Sequence, residues 1–447
     1  MYKLYKSVMT PVQNLLRESS VVRLFLWGYF SCILVGWLVL QLPLCQKSVI
    51  SGIDTLFTTA SAVSTTGLVT LDVGKTFSFL GQIVLLLLIQ LGGVGYLIFS
   101  SYILLTLKQK FLDIHRKSSL PTSSLCGDLT MLGMIKQAAI YTAICELSGL
   151  VVLYCIFKSD GVDASFWSAI FHSISAFCSA GFSLFPSNME AYKNHLGLNI
   201  TLSLLSLLGV FGFFLWMDLL KKLPDRNRCR RFIARIFRPF VTTAIFISAS
   251  LFLLMAPFTQ ESTGFQKLLI AFFQTISAIT TTGFNTIDFG SLPSIAHLFF
   301  ILLMLLGVTL IGNGVNMKGT SFPVLLRLAT ARVNGKRTTA LRSQKSFLKR
   351  LQIAISPLIP YLIVLLIFGP LLALIEKQPL LPLFFETASA LCTIGFSTGI
   401  TAELSTMGKS LLILLMLLGR IGILILGFAI SLKDLSWERD LRHEPAI

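Results

Sequence analysis

The sequence predicts an all-α integral membrane protein, built from four consecutive helix, pore-loop, helix repeats around one pseudo-fourfold pore. Three observations carry that expectation. Of 447 residues, 54% are hydrophobic and only 13% are charged. With a mean hydropathy of +0.80, the chain has to be read against a bilayer rather than water. Apolar runs long enough to cross a membrane alternate with shorter ones, and each short run ends in the same Ser-Ala-x-x-x-x-Gly pattern.

The candidate spanning runs are roughly Val22 to Leu42, Leu80 to Leu105, Leu132 to Phe157, Leu196 to Trp216, Phe240 to Met255, Ala296 to Ile311, Ile353 to Leu374 and Leu411 to Leu432. Between the members of each successive pair lies a short stretch: Ile53 to Val63, Phe166 to Phe177, Leu268 to Ile279 and Leu383 to Leu391. Helices of that length cannot cross a hydrocarbon core of ~30 Å, so they read as re-entrant. The first run has no small-residue cleavage signal after it and reads as a retained helix.

The four copies of the pattern are SAVSTTGL (Ser61 to Leu68), SAFCSAGF (Ser175 to Phe182), SAITTTGF (Ser277 to Phe284) and SALCTIGF (Ser389 to Phe396). With each fixed residue at about 7%, chance would supply roughly 0.15 copies, so the recurrence is an internal repeat. A second marker has the same period: Leu-Gly in each following helix places Gly92, Gly209, Gly307 and Gly419 24 to 28 residues beyond Gly67, Gly181, Gly283 and Gly395. The repeats divide the chain into 1–115, 116–225, 226–340 and 341–447, the third carrying a candidate intramembrane gate.

Glycine and small hydroxyl residues at these points have a physical reason. A cation entering a membrane exchanges its water shell for other oxygens, which backbone carbonyls can supply where the chain leaves helical geometry. Glycine permits the backbone angles, and irregular backbone at membrane depth is tolerated where it lines an aqueous path or is buried in protein. The candidate selectivity filter is Ser64, Thr65, Thr66 and Gly67; Cys178, Ser179, Ala180 and Gly181; Thr280, Thr281, Thr282 and Gly283; and Cys392, Thr393, Ile394 and Gly395. The bland alternative is a set of tight turns between helices.

Charge sets the orientation. Of 37 Lys and Arg, 28 lie before the first run, between repeats and after the last, and seven lie in loops within repeats. The between-repeat side and both termini are therefore expected in the cytoplasm. The within-repeat loops and short stretches hold ten acids: Asp54, Asp72, Asp160, Asp163, Glu190, Glu261, Asp288, Glu376, Glu386 and Glu403. They are expected to form an acidic vestibule that concentrates cations outside.

The net charge of +17, spread in this way, points to a membrane and not to nucleic acid. The eight cysteines and five histidines show no ligand spacing. The only metal expected is therefore the permeant ion at the filter carbonyls. Nor is there a nucleophile with a base, a metal cluster or a carboxylate pair at usable spacing, so an enzyme is not expected. An organic-solute carrier would show two related halves around a midplane site rather than four equivalent loops.

The fourfold plan, the phrases FHSISAFCSAGFSLF and TTTGFNTID, and MLLGRIG in the last run resemble the membrane subunit of the Ktr/Trk/HKT superfamily of potassium transporters. With eight spanning runs and no extra N-terminal pair, the chain resembles the KtrB type more than the TrkH type. The resemblance implies potassium uptake, often sodium-assisted, through a homodimer with one pore per protomer. A sodium-selective or poorly selective cation transporter is the alternative, because carbonyl number and field strength depend on geometry. Two positions depart from the family pattern. Ser179 stands where asparagine is usual, and the gate stretch, with Gly312, Asn313, Gly314, Lys318 and Gly319, is poorer in small residues. As an ordinary reading, that stretch is a helix cap and turn.

Arg420 lies in an apolar run, 11 residues past Lys409 and 13 before Lys433, and so about 16 to 20 Å from either end. A charge at that depth faces a bundle interior or a water-filled cavity. The resemblance makes it a barrier to conduction just inside the filter, while pairing with Glu146 is the structural alternative. The inner loops Lys221 to Arg238 and Lys318 to Arg350 hold 17 basic residues, which suit anionic lipids. The chain carries no nucleotide motif of its own. The resemblance implies that these loops dock on a cytoplasmic ring of Rossmann-type regulators binding ATP, ADP or NAD.

Overall fold

The computed structural model describes residues 20–95, 131–222, 245, 248, 249, 251, 264–311 and 358–421. Among these residues the regular elements are helical, with one isolated antiparallel bridge between Gln46 and Phe77. The main helices are α1 (Ser20–Leu40), α2 (Gly52–Val63), α3 (Phe79–Gly95), α4 (Met131–Ser159), α5 (Ser165–Phe177), α6 (Leu196–Lys222), α7 (Gly264–Ile279), α8 (Ser294–Ile311), α9 (Leu358–Ile375), α10 (Leu380–Leu391) and α11 (Thr406–Ile421), besides short turns such as Val73–Thr76. The order long, short, long recurs along the chain. The helix expected at Phe240 to Met255 lies almost wholly outside the described residues, as do the ends of the runs expected to reach Leu105 and Leu432.

The short helices α2, α5, α7 and α10 have 12, 13, 16 and 12 residues. At 1.5 Å per residue they reach about 18 to 24 Å, less than a hydrocarbon core. By contrast, Lys136–Ser159 in α4 and Leu358–Ile375 in α9 are long and apolar enough to cross a membrane. α2 starts where Ser51 caps it, its Oγ accepting the Asp54 N–H at 3.2 Å.

Apolar side chains fill the core, as in a protein folded in water, but here they also cover the exterior while many hydroxyls are buried. Trp27, Val35, Leu38, Leu87, Leu366 and Leu374 are exposed, while Thr55, Thr59, Ser61, Ser64, Thr66, Ser175, Thr280 and Ser389 are buried. An apolar exterior, with hydroxyls buried among apolar side chains, is what a bilayer selects, since lipid replaces water outside and the polar groups find partners inside.

The Leu-Gly marker acquires a cause in the packing. A β-carbon at Gly92 would collide with the carbonyl oxygen of Val63, at Gly209 with that of Phe177, and at Gly419 with that of Leu391. Each of those carbonyls ends a short helix, so glycine lets the outgoing helix close onto the end of the short helix it follows. The Tyr29 hydroxyl donates to the same Val63 carbonyl, which holds α1 against α2.

Candidate functional site: four loops in a ring

Each short helix ends by the same sequence of backbone steps. Ser64, Cys178, Thr280 and Cys392 donate their N–H to Ala60, Ile174, Ile276 and Ala388 in ordinary helical bonds. The next residues, Thr65, Ser179, Thr281 and Thr393, turn left-handed with φ of 48, 52, 53 and 50°. Their successors, Thr66, Ala180, Thr282 and Ile394, reach back to the motif serine carbonyls of Ser61, Ser175, Ser277 and Ser389 at 2.9, 2.8, 2.9 and 3.0 Å. Left-handed backbone is costly for residues with a β-carbon. Its recurrence at one position of four loops means that the surrounding bonds fix it. Gly67, Gly181, Gly283 and Gly395 follow at φ of 92, 65, 85 and 95°.

The motif serines pin these loops through their side chains as well. Ser61 and Ser389 each accept the N–H of their loop glycine at 3.1 Å, while Ser175 and Ser277 each donate to the carbonyl of Phe182 and Phe284 at 2.8 Å. In the sequence these serines mark the repeat, and their pinning role is visible only in the structure. The signal was their presence in all four copies. Within loops, the Ser64 and Thr66 hydroxyls bond to each other at 2.7 Å, as do those of Thr280 and Thr282.

The glycines bring the loops together in cyclic order. A β-carbon on Gly67 would strike the carbonyl oxygen of Ala180, on Gly181 that of Thr282, on Gly283 that of Ile394, and on Gly395 that of Thr66. Each loop therefore touches the next, and the fourth touches the first. Every contact pairs a glycine with the carbonyl just before the next loop's glycine.

A cavity of about 330 Å³ opens over Gly67, Gly181 and Gly395, with Asp72, Glu190 and Asp288 in its wall. Burial raises the Glu190 carboxyl above the usual range, as does the neighbouring Asp288 charge; the Asn285 hydrogen bond and Lys193 partly offset this. Asp72 also caps its own turn and pairs with Lys75 at 3.5 Å.

Two acids expected in the vestibule have other work. Asp54 Oδ1 pairs with Lys409 Nζ at 2.8 Å. Glu386 is fully buried, accepting hydrogen bonds from Ser397, Thr398 and Thr401. Lys409, read from sequence as a loop base, sits in the first turn of α11 and is 8% exposed.

On the far side of the loops, Gln90 donates to Glu146 at 3.2 Å and accepts from the Cys178 thiol at 3.3 Å. The Arg420 guanidinium donates to the Gly92 carbonyl at 2.9 Å, reaching from α11 to α3. Gln90 is thus one partner of Glu146. Gly312, Asn313, Gly314, Lys318 and Gly319 lie outside the described residues.

Residues 30–438 match the family described as "TrkH: Cation transport protein". The chain belongs to the TrkH family. As a member it is a membrane transport protein and not an enzyme. It is 31% identical to the Ktr system potassium uptake protein B of Bacillus subtilis (strain 168), over 92% of each chain. Its identity to the protein of that name from Vibrio alginolyticus is 32%, over 92% of this chain and 91% of the relative. The potassium/sodium uptake protein NtpJ of Enterococcus hirae is 28% identical over 95% and 96%. Among solved structures, the potassium transporter TrkH from Vibrio parahaemolyticus superposes with a TM-score of 0.62 at 20% identity, covering 85% of this chain and 78% of that one. That likeness concerns the fold of this TrkH-family chain.

Proposed function

We propose that this TrkH-family protein takes up potassium across the cytoplasmic membrane, the ion passing single file through a carbonyl-lined filter formed by the four loops. The segments 1–115, 116–225, 226–340 and 341–447 then act as four repeats about a pseudo-fourfold axis. The observation that carries the reading is the cyclic order of contacts from Gly67 round to Gly395 and back to Thr66. Four loops closed in this way can present backbone carbonyls to an ion stripped of water. The C-terminal ends of four short helices meet the same ring, and their partial negative charge favours a cation. The printed names of the Ktr relatives support potassium as the cargo.

A second reading, a transporter that also passes sodium, is favoured by the likeness to the potassium/sodium uptake protein NtpJ. In either reading Arg420 is the barrier beneath the filter and 312–319 the gate. The basic inner loops bind anionic lipid and a cytoplasmic nucleotide-binding ring carrying ATP, ADP or NAD, and the protein works as a homodimer that sodium assists. The test is rubidium uptake by proteoliposomes holding the purified chain, competed by potassium and by sodium. Uptake well above empty vesicles, with potassium the stronger competitor, is expected; uptake no greater than that of empty vesicles would overturn the reading. Nucleotide dependence is tested by adding a co-purified ring protein with ATP or with ADP. Equal flux in both would remove the regulatory part.

A further inference from the structure

Three residues before each motif serine stands a buried polar side chain: Thr58, His172, Gln274 and Glu386, each at most 1% exposed. In three repeats this side chain clamps the segment leaving the loop glycine. His172 Nδ1 faces the Ser168 carbonyl at 2.7 Å, which only a donor can do, so Nε2 is the acceptor for Ser183 Oγ at 3.0 Å. Gln274 Nε2 donates to Thr286 Oγ1 at 3.1 Å. In the first repeat the hydroxyl turns inward, Thr58 Oγ1 donating to the Asp54 carbonyl of its own helix at 2.8 Å.

The fourth repeat has the densest clamp. Glu386 Oε1 accepts from Ser397 Oγ and the Thr398 N–H at 2.8 Å each and from Thr398 Oγ1 at 3.2 Å, while Oε2 accepts from Thr401 Oγ1 at 2.7 Å. Ser397 and Gly399 line the cavity over the ring. The Thr398 carbonyl also sits where a β-carbon on Gly290 of the third repeat would fall. The carboxylate therefore fixes a segment with the loop on one side, the mouth cavity above it and the neighbouring repeat beside it.

We infer that Glu386 is a specificity-determining positioning residue, whose hydrogen bonds to Ser397, Thr398 and Thr401 hold the Thr393 to Gly395 carbonyls in place for a dehydrated cation. The inference rests on the ion-uptake reading above. Geometry, and not the formal charge, is the operative property. An amide at this position keeps an acceptor for Ser397 and Thr398 and donates to Thr401 instead, and Gln274 already fills the equivalent place in the third repeat.

The test compares Glu386→Gln, Glu386→Leu and the double variant Ser397→Ala/Thr401→Val in proteoliposomes, reading the ratio of potassium to sodium needed to halve rubidium uptake. Glu386→Leu and the double variant should lose roughly tenfold of the potassium preference, the scale of one lost hydrogen bond to a charged group. Glu386→Gln should keep most of it. If Glu386→Leu is not recovered folded, the double variant and Glu386→Gln decide. A folded double variant with wild-type preference, or a Glu386→Gln variant with no potassium preference left, would overturn the inference. Failure of the wild-type protein to take up rubidium would instead strike the function itself.

Discussion

Lys409 Nζ lies 2.8 Å from Asp54 Oδ1, joining the first turn of α11 to the first turn of α2 across 355 positions of sequence. Both side chains are largely buried, at 10% and 16% exposure. The pair ties the last repeat to the first on one side of the loops, and Arg420 on the Gly92 carbonyl does so on the other. A ring made by one continuous chain has a single seam between its ends, and these two contacts cross it.

Lys409→Met should destabilise the protein by about 1 to 3 kcal/mol, because it leaves the partly buried Asp54 carboxylate without its cationic partner. Adding Asp54→Asn should recover a substantial part of the loss. Unfolding temperatures of the single and double variants in detergent check this. Equal losses in the two single variants that add in the double would show that the residues do not act together.

Gly67→Ser should weaken potassium preference. A β-carbon there meets the Ala180 carbonyl at 2.5 Å, and φ of 92° strains any side chain. The same substitution at Gly95, where a β-carbon has nothing within 4 Å among the described residues, is the control and should leave preference alone. Competition of rubidium uptake by sodium measures both.

Arg420→Gln should raise ion flux if, as proposed, its positive charge on the far side of the loops repels the permeant cation. A folded variant with wild-type or lower flux would assign the side chain instead to the α3 to α11 contact through Gly92.

Acidification on the cavity side of the loops should weaken uptake at a higher pH than an ordinary carboxylate would cause, through Glu190. Its carboxyl is raised by burial and by Asp288, so it takes up a proton first as pH falls, and the cavity wall loses a negative charge. The folded state binds that proton more readily than the unfolded chain does. The group's contribution to stability is therefore unfavourable above its raised pKa and is relieved as pH falls through it. Glu190→Gln should flatten this limb of the profile of half-saturating rubidium against pH. An unchanged profile would exclude Glu190.

The sequence by itself determined what is local and repeated. Helix lengths, the four short helices and the break at each Ser-Ala-x-x-x-x-Gly follow from apolar run length and from residues whose backbone preferences act within a few positions. Ile53 to Val63 was expected and Gly52–Val63 is found; Phe166 to Phe177 was expected and Ser165–Phe177 is found. The tertiary structure decided which groups from distant segments meet. That Gly395 abuts Thr66, that Lys409 reaches Asp54, and that Glu386 and Asp54 are spent on internal bonds rather than on the vestibule depend on the packing of whole helices. A carboxylate's sequence neighbours do not reveal whether it faces solvent or a hydroxyl a dozen residues on. Periodicity could find the Leu-Gly marker, but only the approach of Gly92 to the Val63 carbonyl supplies its cause, because steric exclusion acts between surfaces that the chain brings together after its helices have formed.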